Sequence, residues 1–422
     1  MNVFTTEHAE KYRKQFPALF RKENETPVVF FDGPAGTQVP VTVVDAISEY
    51  LLGCNANHGG LFQTSLQSDR WLHEAHQACA DFVGADDPDE IIFGQNMTSL
   101  TFAFSRAIAK TWSPGDEIIV TQLDHDANVS PWILAAQDAG ATLHKVPFNH
   151  DDFTLDLEAL NSKINDKTKL IAVGCASNAT GGINPVKQIC ESAHKHGALV
   201  YLDAVHYGPH GLIDVKEWGC DFLACSAYKF FGPHTGILWG RKNLLQSIDA
   251  YGVRPAGDAV PGKWMTGTQS HESIVGVLAC IDYLAEIGQD LSGNKNASRR
   301  QSLEAAFEGI THYEQQLSKQ LIEGLSQIPG IKIYGITDTD RLSERFPTIS
   351  ITHDKILTTK LAEQLAEKGI YVWHGNYYAL EFTETLGLEP EGMVRIGLVH
   401  YNTPSEIGRM METIESLVTA TV

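Results

Sequence analysis

A lysine in an apolar setting is the first residue of the sequence that suggests chemistry. Lys229 follows the apolar run DFLACSAY and precedes FFGPHTGILWG. Desolvation lowers the pKa of an amine from its usual value of about 10.4, and a neutral amine attacks carbonyl groups to form a Schiff base. The ordinary alternative is a lysine on a surface loop, and the aromatic and Gly-Pro neighbours of Lys229 count against it.

An aspartate ends another apolar run, ALVYLD, at Asp203. A carboxylate in this position can hold a proton on the nitrogen of a heteroaromatic ring, which keeps the ring cationic and electron-withdrawing. The spacing fits equally well an aspartate that caps a helix or a turn. Asp203 is therefore a candidate partner for a ring nitrogen.

Further candidates follow other predicted strands. In FGQNMTSLTFAFSRAIAK, Met97, Thr98 and Ser99 would present backbone N–H groups and hydroxyls at a helix N-terminus, which suits a phosphate. Ordinary capping by Thr98 or Ser99 would give the same pattern. His125, in QLDHDANVSPW, is either a ring that stacks on a planar ligand or a histidine near the surface. Asn178, in GCASNATGG, is either a turn residue or a donor that faces a site.

Short apolar runs and helical patterns alternate from about residue 28 to residue 245. The runs are EIIF, EIIVTQL, KLIAVGC, ALVYLD, DFLACS and GILWG. Most are rich in Val, Ile and Leu with little polar alternation, which is typical of strands covered on both faces. We therefore expect a three-layer α/β fold with a mostly parallel sheet. Ligands of such sheets bind beyond the carboxyl ends of the strands, where these candidates lie.

The pattern changes after about residue 300. A helix over 301–327 is followed by IKIYG, TISIT, a helix over 356–368, IYVWHG, MVRIGLV and a final helix from Pro404. This order predicts a second, smaller α+β domain. We expect a large ligand-binding domain over residues 29–299 and a small domain formed by residues 1–28 and 300–422.

Composition excludes several classes of function. The net charge of −20 over 422 residues argues against nucleic-acid or anionic-membrane partners. Seven cysteines without a CxxC pair, no signal peptide and no long apolar run predict a cytoplasmic protein with reduced thiols. No HExxH, Cys/His cluster, GxxxxGK[ST] or GxGxxG pattern is present, so we expect no metal and find little support for ATP hydrolysis or dinucleotide binding.

The ordered set of motifs resembles the class V aminotransferase family, the fold-type I pyridoxal 5'-phosphate (PLP) enzymes that include cysteine desulfurases. The motifs are NMTS, LDHDANVSPW, SNATGGINPV, LDAVHYGPHG, SAYKFFGPHTGILWG and GTQSHESIVG. The likeness runs from VVFFDGPAGTQVP near the start to MVRIGLVHYNTPSEIGRM near the end. The resemblance implies PLP as the cofactor and a small amino acid as the substrate.

The resemblance implies a role for each matching residue at the ring. Lys229 is similar to the lysine that carries PLP as a Schiff base and moves protons at the substrate Cα. Asp203 is similar to the partner of the pyridine nitrogen, and His125 to the residue stacked on the ring. Asn178 is similar to the residue near the phenolic oxygen of the ring and the substrate carboxylate. His206 stands at a cofactor position that is often glutamine in desulfurases.

Other matches concern the phosphate and the substrate. Met97 and Thr98 match the phosphate loop, and Ser226 matches a hydroxyl on the phosphate side. Thr268 matches a phosphate contact given by the other subunit, which implies a homodimer with shared active sites. Arg395 resembles the arginine that pairs with the substrate carboxylate, a task that suits a planar guanidinium.

Besides His206, two features depart from the desulfurase pattern. Desulfurases of this family carry a nucleophilic cysteine on a small-domain loop, where this sequence reads YVWHGNYYALEFTETLGL, and the last cysteine is Cys280. Tyr377 or Tyr378 falls about where that cysteine would be, and a phenol cannot accept sulfur as a persulfide. Tyr228 replaces the histidine commonly found before the lysine, and we count it among the cofactor contacts. The sequence thus indicates a divergent, desulfurase-like branch.

Several reactions stay open at this point. We favour Cα deprotonation and β-elimination, a C–S lyase reaction that needs no cysteine and in which Tyr378 contacts the substrate as a possible acid. The alternatives are transamination, desulfuration through another cysteine, and a non-catalytic partner protein that keeps the fold. The sequence names neither the amino acid nor any sulfur-acceptor partner.

Overall fold

The computed structural model describes residues 3–421, so residues 1, 2 and 422 of the predicted small domain lie outside the described residues. The strands are, in chain order, β1 (Lys22–Glu23), β2 (Thr26–Pro27), β3 (Val29–Phe30), β4 (Ile91–Gly94), β5 (Glu117–Thr121), β6 (Thr142–Val146), β7 (Thr168–Gly174), β8 (Leu199–Asp203), β9 (Phe222–Ser226), β10 (Gly236–Gly240), β11 (Ile331–Tyr334), β12 (Thr348–His353), β13 (Ile370–Tyr371), β14 (Trp373–Gly375) and β15 (Met393–Gly397).

Helices cover the sheets and connect their strands. The α-helices are α1 (Thr6–Arg13), α2 (Val41–Gly53), α3 (Gln63–Val83), α4 (Met97–Ile108), α5 (Ser130–Ala139), α6 (Leu157–Lys163), α7 (Val186–His194), α8 (Val215–Trp218), α9 (Lys242–Ser247), α10 (His271–Ser292), α11 (Arg299–Ser326), α12 (Thr358–Glu367), α13 (Leu380–Thr385) and α14 (Pro404–Thr421). Short 3₁₀ helices lie at Pro17–Phe20, Pro88–Glu90, Ala109–Thr111, Asp126–Asn128, Ala227–Lys229, Arg254–Ala256, Gly262–Trp264 and Thr339–Glu344. Within residues 3–421, no helix is long and apolar enough to cross a membrane.

The large sheet has the strand order β4-β10-β9-β8-β7-β5-β6. Strand β10 is antiparallel to both of its neighbours, and the β9-β8-β7-β5-β6 pairs are parallel. The predicted mostly parallel α/β fold is therefore confirmed. Because the carboxyl ends of the parallel strands lie at one edge, the residues that follow them are brought together there.

Two hydrophobic cores cover the two faces of this sheet. Ile118 and Val120 of β5 belong to one core, and Ile119 between them belongs to the other. The same alternation separates Tyr201 from Leu202 in β8. Successive side chains of a strand point to opposite faces, so a strand with both faces covered needs apolar residues at every position. This requirement explains the near-continuous apolar runs of the sequence.

A second sheet has the antiparallel order β11-β12-β15-β14. The run IYVWHG, which the sequence analysis treated as one segment, forms two strands. Strand β14 belongs to this sheet, and β13 pairs in parallel with β3 near the N-terminus. The N-terminal helix α1 is joined to the C-terminal region by an ion pair between Arg13 and Glu406 (2.8 Å). The exact domain boundaries at residues 28 and 300 stay a prediction.

Candidate active site

A cavity of about 340 Å³ opens at the carboxyl ends of β5, β7, β8 and β9. Every residue predicted for the site lines it except Thr268 and Ser99. Thr268 lies instead in an exposed loop before α10. The second sheet closes part of the cavity through residues of the 373–378 segment and through Arg395 of β15.

Lys229 lies in the cavity wall, directly after β9. Its Nζ atom donates hydrogen bonds to the carbonyl oxygens of Pro34 and Ala35, the latter at 3.1 Å. Burial lowers the pKa of Lys229 to about 7, and the charge of Arg395 lowers it further, while Asp203 and Asp32 oppose the shift. A substantial fraction of this amine is therefore neutral near pH 7, as a nucleophile or a base requires.

Asp203 ends β8 and faces the same cavity, where it is buried. Its Oδ1 atom accepts a hydrogen bond from the backbone N–H of Val205 at 2.8 Å. Burial raises the pKa of Asp203 to about 6, and the Val205 N–H and Lys229 oppose the rise. The Asp203 carboxyl group is thus ionised near pH 7. Because it is buried in a low-dielectric setting, it attracts any cationic partner in the cavity more strongly than it would in water.

The N-terminus of α4 forms one end of the cavity. The N-cap residue is Asn96, whose side chain accepts a hydrogen bond from the Ser99 N–H at 2.8 Å. Asn96 therefore caps the helix, and not Thr98 or Ser99 as the alternative interpretation of the sequence had it. The Ser226 hydroxyl accepts from the Met97 N–H at 3.1 Å. Both Met97 and Thr98 line the cavity beside this positive helix end, which favours an anion.

A glycine of β10 makes this arrangement possible. A Cβ atom at Gly236 would lie 2.3 Å from the backbone carbonyl carbon of Asn96. Such an approach is impossible for any other residue, so Gly236 allows the strand to support the start of α4 directly.

His125 presents a neutral planar ring to the cavity. Burial lowers its pKa to about 3, and the charges of Lys229 and Arg395 lower it further. Its Nδ1 atom accepts from the Ala127 N–H at 3.0 Å, and its ring stacks on that of Tyr378 with centroids 5.3 Å apart. Tyr378 is 70% exposed, so it lies over the mouth of the cavity.

Arg395 is a buried cation that forms no ion pair within residues 3–421. One Nη1–H donates to the Asn178 carbonyl at 3.0 Å, and the guanidinium lies 4.3 Å from the ring centroid of Tyr377. The Asn178 amide donates to the Tyr377 carbonyl at 3.0 Å. Arg395 Nε and Asn178 Oδ1 find no hydrogen-bond partner in the described part of the chain. Asp32 acts on Arg395 only from beyond ion-pair distance. A buried guanidinium without an ion-paired carboxylate is costly, so the site is suited to a ligand carboxylate.

Two further predicted residues complete the wall. Burial lowers the pKa of His206 well below its usual value, so its ring is neutral. The Tyr228 ring stacks on His234 with centroids 4.8 Å apart, and Lys229 Nζ lies 4.7 Å from the same tyrosine ring.

A profile of the family described as Aminotransferase class-V matches residues 29–410. The chain belongs to the class V aminotransferase family. It is 33% identical over 419 residues to an aminotransferase-like protein of Gibberella zeae, covering 97% of this chain and 98% of that one. It is 29% identical over 424 residues to a probable cysteine desulfurase of Halalkalibacterium halodurans, covering 97% of each. The apo cysteine desulfurase of Thermococcus onnurineus superposes with a TM-score of 0.85 at 26% identity, covering 100% of this chain and 99% of that one.

Enzymes of the class V aminotransferase family depend on PLP, and this chain is a PLP-dependent enzyme. The residues present fit the cofactor. The cavity offers a neutral amine at Lys229, a carboxylate at Asp203, a flat neutral ring at His125 and a helix N-terminus for a phosphate. The unpaired polar atoms of Arg395 and Asn178 are further donors and acceptors that a bound ligand would satisfy.

Two aspartates and a tryptophan are among the cavity residues that the sequence analysis missed. Burial raises the pKa of Asp124 to about 8 despite the Gly174 N–H, and it raises the pKa of Asp32 to about 6. Trp373 contributes a half-exposed indole at the mouth. Asp32 and Asp124 both stand just after apolar runs, VVFF and EIIVTQL, so the rule that found Asp203 would have found them.

We expect the PLP-free protein to combine with PLP faster as the pH rises through about 7. Lys229 has a folded-state pKa of about 7, so the amine is protonated below that pH and neutral, hence nucleophilic, above it. Stopped-flow absorbance at a series of pH values measures this rate. In the control Lys229→Ala, the rate of PLP binding should not rise with pH. A wild-type rate that is constant between about pH 6 and about pH 9 would contradict the lowered pKa of Lys229.

Proposed function

We propose that the enzyme acts on a small amino acid by removing the Cα proton and expelling a sulfur leaving group from Cβ, as a C–S lyase. The observation that carries the proposal is the absence of cysteine from the described residues that line the cavity. All seven cysteines are free and buried. Burial raises the pKa of Cys175, which follows the lining residue Gly174, well above its usual value, so its thiol is inert. β-Elimination needs no such thiol.

The residues of the chain divide the work between binding and proton transfer. Arg395 and Asn178 hold the substrate carboxylate, which orients the Cα–H bond. Lys229 Nζ takes the Cα proton as that bond breaks. The electron pair of the Cβ–S bond leaves with the sulfur, and the Tyr378 hydroxyl, at the mouth of the cavity, supplies a proton to it. PLP, when bound, supplies an electron-withdrawing ring that stabilises negative charge at Cα, and Asp203 keeps its nitrogen protonated.

Transamination is the second candidate. It is favoured by the 33% identity to a protein named as aminotransferase-like, which exceeds the 29% identity to the probable desulfurase. Transamination uses the same base, Lys229, and requires no leaving group on Cβ. It predicts conversion of PLP to pyridoxamine phosphate by an amino donor alone.

Product analysis with L-cysteine, cystine and S-substituted cysteines tests the proposal. A C–S lyase releases pyruvate, ammonia and the sulfur product in equal amounts. Lys229→Ala loaded with PLP is the matched control, because free PLP slowly degrades cysteine by itself. Alanine with protein-bound sulfur would show that one of the cysteines acts after all, and no keto acid from any of these substrates would refute the lyase.

We also propose that the enzyme is a cytoplasmic homodimer. Large apolar side chains are exposed on α2 and in the segment before α3, where Leu52 is 89% exposed and Leu61 is 96% exposed. Val44 and Phe62 are also exposed. Several large apolar side chains exposed in one part of a chain are typical of a protein–protein interface, and a second copy of this chain would bury them. Light scattering of the purified protein measures the assembly.

Thr268→Ala is expected to weaken PLP retention about tenfold, because one charge-assisted hydrogen bond to the phosphate, given across the dimer, would be lost. The unfolding temperature of the PLP-free protein should not change, since Thr268 lies in an exposed loop. Dialysis followed by absorbance measures the retained PLP. Thr266→Ala, in the same exposed loop, is the control, and equal retention in both variants would remove Thr268 from the phosphate site.

A further inference from the structure

A group of buried acid–base side chains extends from the cavity into the protein behind His206. Its members are His206, His210, Glu314 and His400, each at most 6% exposed. We refer to these four residues as the buried acid–base cluster. They come from three separate parts of the chain, namely the segment after β8, helix α11 and the segment after β15. None of the four except His206 lines the cavity, and the proposed reaction leaves the other three without a task.

The contacts within the cluster are close. His210 Nδ1 lies 2.8 Å from Glu314 Oε2, and both side chains are 1% exposed. The rings of His206 and His210 meet edge to face with centroids 5.3 Å apart. Burial lowers the pKa of His400 to about 3, and His210 adds to this shift, which places the two histidines within electrostatic reach.

Every member of the cluster has a polar atom left over. His206 Nε2, His210 Nε2, Glu314 Oε1 and His400 Nδ1 are buried and have no partner with full hydrogen-bond geometry among residues 3–421, although the His400 backbone N–H lies close enough to the Glu314 carboxyl group to lower its pKa. An unsatisfied buried polar group costs about 1–3 kcal/mol, and such groups in native proteins are usually satisfied by ordered water. A buried water needs two to four polar partners, which a cluster with four spare atoms provides. A His210–Glu314 pair kept only for stability would not explain the spare atoms of His206 and His400.

The cluster also continues outward to the protein surface. His400 Nε2 lies 2.6 Å from the Tyr283 hydroxyl, and the Tyr283 ring meets Tyr12 edge to face with centroids 6.0 Å apart. The Tyr12 hydroxyl donates to Asp290 at 3.2 Å. Asp290 is 38% exposed at its side chain and pairs with Lys11 at 2.6 Å. His400, Tyr283, Tyr12 and Asp290 thus lie in sequence between the cluster and the surface, with a hydrogen bond at each step except between the two tyrosines, which touch through their rings. A bridging water at that step is part of the proposal below.

We propose that the buried acid–base cluster, bridged by bound water, is a proton relay between the active-site cavity and the solvent at Asp290. In each hop one N–H or O–H bond breaks and the next one forms, so one proton enters at one end and one leaves at the other. The relay rests on the proposed function, because Lys229 must release to solvent the proton that it takes from Cα. The charged groups that face the inner end, at His206, are Arg395 and Lys229.

A high-resolution crystal structure of the PLP-loaded protein tests the water directly. Ordered water within hydrogen-bond distance of the spare atoms of His206, His210 and Glu314 is expected. A dry cluster overturns the proposal, whatever reaction the enzyme performs.

A rapid pH jump on the PLP-loaded protein without substrate tests the proton transfer. The cofactor absorbance is expected to relax at least tenfold more slowly in Glu314→Gln, which keeps the shape of the side chain but cannot pass a proton. Asp221→Asn is the matched control, because Asp221 forms a similar pair with His194 at 2.8 Å, and it should relax like the wild type.

A second variant tests the relay independently, in case Glu314→Gln does not fold. Tyr283→Phe removes only the hydroxyl beside His400 and should also slow the relaxation. Wild-type rates in both variants, or a wild-type absorbance that does not respond to the jump, overturn the relay. These outcomes are independent of the product analysis. Pyruvate formation by the wild type, together with unaltered relaxation in both variants, would uphold the lyase and refute the relay alone.

Discussion

Lys229→Ala is expected to lower kcat about 10⁴-fold while leaving the protein folded. The variant loses the amine that we propose attaches the cofactor and takes the Cα proton, and a positioned base alone contributes about 10²–10⁴-fold. Among residues 3–421, only the backbone carbonyls of Pro34 and Ala35 lose a donor in the PLP-free protein. Steady-state kinetics and the absorbance of the loaded protein measure the two losses.

Lys263→Ala provides a matched control for this variant. Lys263 is also buried, and its Nζ atom donates to a backbone carbonyl, that of Gln246, at 2.8 Å. It does not line the cavity. A stability loss in Lys263→Ala with normal turnover, next to lost turnover in Lys229→Ala, would separate chemistry from packing. Equal activity in the two variants would remove Lys229 from the reaction.

Arg395→Gln is expected to lower kcat/KM for L-cysteine about 10²-fold, chiefly through a higher KM. Removing one partner of a buried charge pair costs about 2–5 kcal/mol, and every 1.4 kcal/mol is a factor of ten. The guanidinium is available for this pair because it has no carboxylate partner in the part of the chain that the structure describes.

A substrate analogue without a carboxylate separates recognition from general damage to the site. Cysteamine lacks the group that Arg395 is proposed to hold, so wild type and Arg395→Gln should bind it about equally. Binding is followed by the change in PLP absorbance. Equal losses for cysteine and cysteamine would show that the substitution disturbs the cavity and would contradict a carboxylate contact.

The large sheet could be predicted from the sequence because its central strands are apolar on both faces. All six runs, EIIF to GILWG, form strands. Strand β6 was missed because it lies at the sheet edge, where TLHKV has a solvent face and needs polar residues. The antiparallel direction of β10 was not visible either, since direction depends on connections and not on composition.

Some residues of the candidate site could also be predicted from the sequence and the fold alone, and others could not. Lys229 and His125 follow strands of the large sheet and Asp203 ends one, so the fold rule alone brings them to one edge. Arg395 lies inside a strand of the second sheet, and only the family resemblance pointed to it. Thr268 is outside the cavity of a single chain, and its role stays a prediction that only the assembled protein can test.

The burial of all seven cysteines has a consequence for the conditions under which the enzyme operates. Peroxide attacks thiolates that solvent can reach, and a thiol that carries sulfur must be reachable. Here burial raises the pKa of Cys79 and Cys280 well above the usual value, which leaves almost no thiolate. The enzyme is therefore expected to keep its activity under oxidative stress, without added reductant, where a relative that depends on an exposed thiol loses it.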